Sequence, residues 1–281
     1  MKKIFLIGFF AFLLFLFGFI YWDQKEEVLE EEVKIGEKKM ETKTSKLSLT
    51  TIYDNYQFNP ELKTGWGFSC LVKTKEKNIL FDTGADSLTL LSNIKKMGID
   101  LKEIDLIVLS HIHGDHVWGL EGVLNENRDV TVFIPASFPD SMREMIESYG
   151  AKYKDIKEAE KISEGVWVTG ELGALIKEQS LIINSAKGLI IITGCAHPGI
   201  VNIIEKTKEI FPNENVHLVL GGFHLTGASD LELRNIISNF RKLGVQIAAP
   251  CHCSGDRARE LFKEEYKEDF IENGVGQIIE I

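Results

Sequence analysis

Positive charge is in short supply in this 281-residue chain: 32 lysines and arginines face 42 aspartates and glutamates, a formal net charge of −10. A surface of that sign disfavours non-specific binding to nucleic acid or to anionic lipid, and no basic segment interleaved with aromatics offsets it. Much of the acid lies in 23–46 and 260–269, so it says little about any one site. Cysteine is scarce as well. Cys70, Cys195, Cys251 and Cys253 have no zinc-finger spacing, and Cys251-His-Cys253 is too tight to close an ordinary disulfide on itself. There is no internal repeat of short period.

The chain does have one long apolar run. After Met-Lys-Lys, the 19 positions 4–22 carry no charge, and as a helix they would span roughly 28 Å, close to a bilayer core. A secretory signal has a shorter apolar region and a small-residue cleavage site, which Phe-Gly-Phe-Ile-Tyr-Trp-Asp lacks. The run therefore reads as an uncleaved, single-pass transmembrane helix. Lys2 and Lys3 hold the N-terminus in the cytoplasm, so the rest of the chain is expected outside it, tethered to the cell membrane. Outside the cytoplasm the thiols need burial or metal to escape oxidation. Residues 23–46, rich in Glu, Lys and Thr, read as a solvated spacer. Residues 47–281 then suffice for one large domain.

Within that domain, short apolar runs at 69–72, 78–81, 106–109, 130–134, 166–169, 180–183, 189–193, 216–220 and 245–249 predict strands. Amphipathic patterns at 87–97, 137–148, 200–210 and 231–243 predict helices. Strands first, then strand and helix in alternation, is the order of a layered α/β or α+β domain.

The strand at 106–109 runs into His111-Ile-His113-Gly-Asp115-His116, which places three of the seven histidines within six positions. In an extended exit from the strand His111 and His113 point to one side. Gly114 lets the backbone turn, and Asp115 and His116 then face the same point from the turn. Neutral imidazoles with a carboxylate suit Zn(II), and Fe(II) and Mn(II) as well. Other candidates also follow strands. Asp82 begins an Asp-Thr-Gly turn. His197 follows Gly194-Cys195-Ala. His224 follows Gly221-Gly222-Phe, where paired glycines imply close backbone approach or unusual dihedrals. His252 lies in Pro250-Cys251-His252-Cys253.

These motifs, with Leu80-Phe-Asp82-Thr-Gly84, resemble in kind and order those of the metallo-β-lactamase superfamily. The similarity is to a prokaryotic branch of metal-dependent hydrolases, some of whose archaeal members are named pterin-ribofuranosylaminobenzene phosphate synthases. It covers about 48–281. The resemblance implies an α+β four-layer αβ/βα sandwich with one or two metals at the edge between two sheets. It also implies that His111, His113 and His197 hold the first metal, that Asp115, His116 and His252 hold the second, and that Asp82 supports the ligand loop by hydrogen bonds. Many members place a metal-bridging Asp where this chain has Cys195, itself a possible ligand. His224 is left as ligand, proton donor or substrate contact.

The expected function is a membrane-tethered, zinc-dependent hydrolase that attacks a small-molecule substrate with a metal-bound hydroxide, using Asp115 and His224 at the reacting centre. Two alternatives use the same residues: a non-hydrolytic metalloenzyme, either an iron oxygenase or a pterin-pathway synthase, and a binding or sensor protein without turnover. Without a flavodoxin or rubredoxin segment, a di-iron electron-transfer role has no partner domain in this chain. The substrate is expected to be set by loops at 53–66 and 125–175, and no pattern in them names the scissile bond.

Overall fold

The computed structural model describes residues 47–281, so the expected anchor at 4–22 and spacer at 23–46 lie outside the described residues. Among the described residues no helix is long and apolar enough to cross a membrane.

Two sheets form the frame. The first has seven strands: β1 (Ser48–Tyr53), β2 (Ser69–Lys73), β3 (Asn78–Phe81), β4 (Leu106–Val108), β5 (Thr131–Pro135), β6 (Lys152–Ile156) and β13 (Ile278–Glu280), in the order β13-β1-β2-β3-β4-β5-β6. The second has six: β7 (Glu160–Ser163), β8 (Val166–Val168), β9 (Leu181–Ser185), β10 (Gly188–Thr193), β11 (Val216–Gly222) and β12 (Ile247–Cys251), in the order β12-β11-β10-β9-β8-β7. Both sheets are mixed. β3 to β6 run parallel in the first, and β10, β11 and β12 run parallel in the second.

Alternation along the strands builds the layers. Ile79, Phe81, Val108 and Phe133 of the first sheet meet Ile190, Ile192, Leu218 and Leu220 of the second in one core between the sheets. The alternate residues Leu80, Ile107 and Val132 point away from it. They pack under α1 (Ser87–Lys96), α3 (Leu120–Glu126) and α4 (Asp140–Ser148), with Val117 of the short α2 (Gly114–Val117) in the same cluster. On the far side Ile191 and Val219 pack under α5 (Ile200–Ile210), α6 (Asp230–Lys242) and α7 (Asp256–Tyr266). The result is helices, sheet, sheet, helices, with strands that read as continuous apolar runs because both faces are covered.

Two expectations need correction. Asp115 and His116 lie on α2, not in a turn. Gly114 opens that helix without a positive φ, and the indole of the largely exposed Trp118 lies over it, 2.2 Å from where a Cβ would stand. The stretch 125–175 is mostly regular structure, holding β5, α4, β6, β7 and β8.

Candidate metal centre

Each sequence-predicted site residue lies just past the carboxyl end of a strand in the parallel parts of the two sheets. Asp82 follows β3, His111 to His116 follow β4, Cys195 and His197 follow β10, His224 follows β11, and His252 and Cys253 follow β12. Parallel strands collect their loops at one edge in this way, which is where ligands bind in open α/β sheets. The loops approach closely. A Cβ on Gly194 would lie 2.1 Å from Ser110 Oγ, and one on Gly222 would lie 2.7 Å from Cys253 Sγ. Gly221 has a φ of 123° and also abuts the Thr193 carbonyl, so both properties expected of the glycine pair are present.

Backbone strain collects here. The non-glycine residues with positive φ include Asp82 (55°), Ala196 (61°), His224 (53°) and His252 (49°). Each such residue costs on the order of 1–3 kcal/mol and persists only where its surroundings fix it.

Asp82, fully buried, organises the first loop. Its Oδ1 accepts from the Ser110 N–H at 2.7 Å, and its Oδ2 accepts from Ser110 Oγ and from His116 Nδ1, each at 2.7 Å. Because Ser110 gives its hydroxyl proton to Asp82, its oxygen accepts from His111 Nδ1 at 2.9 Å. Asn55 does the same for His252, whose Nδ1 donates to Asn55 Oδ1 at 3.0 Å. Three imidazoles are thus held through Nδ1 and present Nε2 to the centre, as metal-binding histidines do.

Two groups of donors form at that edge. His113 Nδ1 lies 3.1 Å from His111 Nε2 and 3.2 Å from His197 Nε2. Asp115 Oδ2 lies 3.5 Å from His116 Nε2 and 3.3 Å from His252 Nε2. Cys195 Sγ, 3.2 Å from His116 Nε2, stands between them, within ligand reach of both His111 with His197 and Asp115 with His116 and His252. Donors bound at 2.0–2.1 Å around a tetrahedral ion stand about 3.3 Å apart. His252 Nε2, buried, faces the Asp115 carboxylate at 3.3 Å without making a well-aligned hydrogen bond to it, a pair of donor atoms that a cation between them would satisfy.

Electrostatics agree. Burial, followed by neighbouring imidazoles, pushes the pKa of His111 well below its usual value and that of His197 down to about 4, so both are neutral ligands near pH 7. Burial also opposes charge on His116, but Asp82 and Asp115 outweigh it and push its pKa up to about 10. With Nδ1–H committed to Asp82, the Nε2 position of His116 therefore calls for positive charge, either a proton or a metal. Asp115 is held well below the usual carboxylate range: burial opposes its charge, and the bonds to His116 and His252 overcome that.

Sequence reasoning missed three supports. Glu178, buried before β9, accepts from the backbone N–H groups of Cys195 at 3.0 Å, Ala196 at 2.8 Å and His197 at 2.8 Å. Its carboxylate fills an anion-binding ring of amides, although burial still raises its pKa to about 7. Gln179 ties the sheets together through its Nε2, which donates to the Leu109 carbonyl at 2.9 Å. Asn55 is the third. No local pattern marks any of them, since each partner lies far along the chain.

The Metallo-beta-lactamase superfamily model matches residues 67–201. The 7,8-dihydropterin-6-methyl-4-(beta-D-ribofuranosyl)-aminobenzene-5'-phosphate synthase of Methanocaldococcus jannaschii is 30% identical, across 84% of this chain and 97% of that protein. An uncharacterized protein of the same organism is 34% identical, across 76% of this chain and 93% of its own length. Among solved structures, a metal-dependent hydrolase of the beta-lactamase superfamily superposes with a TM-score of 0.72 at 28% identity, covering 84% of this chain and 99% of that one. With the archaeal synthase matched over nearly its whole length, and with the same layered fold, the chain belongs to the metallo-β-lactamase superfamily.

Proposed function

We propose that the protein is a metal-dependent hydrolase of a small organic substrate, with His111, His113 and His197 holding one cation and Asp115, His116 and His252 a second, zinc being the best fit and Fe(II) or Mn(II) suiting the same donors. The observation that carries this reading is the convergence of these six side chains, with the buried His252 Nε2 set against the Asp115 carboxylate at 3.3 Å without a well-aligned hydrogen bond. Bound there, such ions supply Lewis acidity and bring the pKa of a coordinated water towards neutrality.

The chain's own residues do the rest. Asp115, kept ionised beside His116 and His252, orients the nucleophilic water and takes its hydrogen bond. Asp82, Ser110 and Asn55 keep the imidazole nitrogens aimed. Trp66, 56% exposed and with its ring 5.0 Å from that of His252, offers a flat wall for substrate. Beside the ligand loop a groove of about 620 Å³, lined by Ile112, Trp118, Met142 and Met145, suits the apolar part of an organic molecule.

A second reading rests on the archaeal relative: the same centre serving a pterin-pathway synthase. Metal analysis of the full chain, purified without chelator, separates the two when run with ester, phosphodiester, thioester and lactam substrates. Two or more zinc ions with chelator-sensitive turnover are expected. Iron without hydrolysis would favour the synthase or an oxygenase, and absence of metal would sink both.

We also propose that residues 4–22 anchor the protein in the membrane with the catalytic domain extracytoplasmic, on the strength of their uncharged length and of Lys2 and Lys3. A reporter fused after Ile281 should be active outside the cytoplasm. A purely cytoplasmic signal would reverse the orientation.

A further inference from the structure

Two donors at the same edge belong to neither group of three. His224 and Cys253 stand beside Cys195, and Cys195 Sγ, a ring nitrogen of His224 and Cys253 Sγ all lie within 4.8 Å of one another. Three adjacent strands deliver them, one each: β10 gives Cys195, β11 gives His224 and β12 gives Cys253. Thiolate and imidazole bonds of 2.3 and 2.0–2.1 Å place donors of a tetrahedral ion about 3.5–3.8 Å apart, which lies inside that spacing.

The loops are fixed in this arrangement. The N–H groups of Leu225 and Thr226 donate to the Cys253 carbonyl at 3.2 and 3.3 Å, and the Phe223 N–H donates to Ser254 Oγ at 3.1 Å. His224 is thereby held in its strained conformation, with a φ of 53°. Gly222 clears the space that Cys253 Sγ fills, since any Cβ there would lie 2.7 Å away. Both sulfurs are buried while His224 is exposed, so the imidazole lies on the solvent side of the cluster. Buried cysteines often serve only as small apolar side chains. That role explains neither a strained histidine placed against two of them nor their arrival from three neighbouring strands.

We propose that Cys195, Cys253 and His224 form a third, thiolate-rich cation site that adjoins the six-donor centre at Cys195 and selects soft ions, zinc, cadmium or copper(I), over magnesium or manganese. Two cysteines and a histidine with one open position make a donor set of the kind found at catalytic zinc. On this assignment His224 is a ligand and not a proton donor. The inference deepens the metal-centre reading and rests on it only through Cys195.

The test is cobalt(II) titration of the metal-free full-length chain, read by equilibrium dialysis and by thiolate-to-cobalt charge-transfer absorption. The wild type should bind one equivalent more than Cys253→Ser, with a weaker charge-transfer band in that variant. His224→Ala, at an exposed position that need not disturb folding, should lose the same equivalent. His111→Ala with His113→Ala should lose a different one and keep the Cys253-dependent absorption. Unchanged stoichiometry and absorption in both Cys253→Ser and His224→Ala would overturn the third site and leave the six-donor centre standing. A Cys195–Cys253 disulfide, found by mass spectrometry of the alkylated chain as isolated, would overturn it too. If the wild type takes up no cobalt at all, both readings fall together.

Discussion

Replacing His111 and His113 together by alanine is expected to empty the first metal position and lower turnover on the order of 10³-fold or more, while the protein stays folded. The reasoning separates site from core. Both residues lie in the loop after β4, and the cores between and outside the sheets are made by other side chains. The substitution removes His111 Nε2 and His113 Nδ1, two of the three nitrogens that crowd within 3.1 and 3.2 Å of one another. It leaves Ser110 Oγ without its His111 donor and His197 Nε2 without His113 Nδ1 beside it, and it empties the space of the buried His111 ring, a loss confined to the loop. Thermal unfolding in the presence of chelator should therefore fall within about 1–2 kcal/mol of chelated wild type. Metal content of the purified variant is the decisive reading: if it equals that of the wild type, the assignment of His111 and His113 as ligands is wrong.

What the sequence made legible follows from burial. β3, β4, β10 and β11 are covered on both faces, so they read as apolar runs, and the chemistry gathers at their ends. Four strands escaped, the three-residue β13 among them. β6 and β7 lie at sheet edges and carry Lys152, Lys154, Asp155, Glu160 and Lys161, the charged composition that protects an edge from pairing further. β1 is buried but reads as polar, because Thr50 and Thr51 sit inside it, with Thr51 Oγ1 donating to Asn273 Oδ1 at 2.8 Å. The site divides in the same way. Imidazoles and carboxylates clustered after a strand announce a cation, but the groups that aim them do not. Asn55 reaches His252 across 197 positions, and Glu178 reaches Cys195 across 17. Such partners become visible only when the strand order brings the loops together.

Asp82 is where turn and electrostatics can be told apart. Its φ of 55° is one that both Asp and Asn tolerate, so a residue needed only for the turn would be replaceable by asparagine. Its carboxylate, however, accepts from the Ser110 N–H, from Ser110 Oγ and from His116 Nδ1. Asp82→Ala should lose about 3–5 kcal/mol of stability, because three buried donors go unpaired at once. Asp82→Asn should fold, with its amide oxygen still facing the Ser110 N–H, but its amide NH₂ then meets His116 Nδ1–H. The imidazole relieves that clash by moving its proton to Nε2, the nitrogen aimed at Asp115, and a protonated Nε2 cannot bind metal. Affinity for the second metal should fall about 10–100-fold, measured by competition with a chromophoric chelator, while unfolding in chelator changes far less than for Asp82→Ala. An Asp82→Asn protein that binds metal as the wild type does would reduce Asp82 to a turn residue, and the Nε2 of His116 would then need another explanation for its aim.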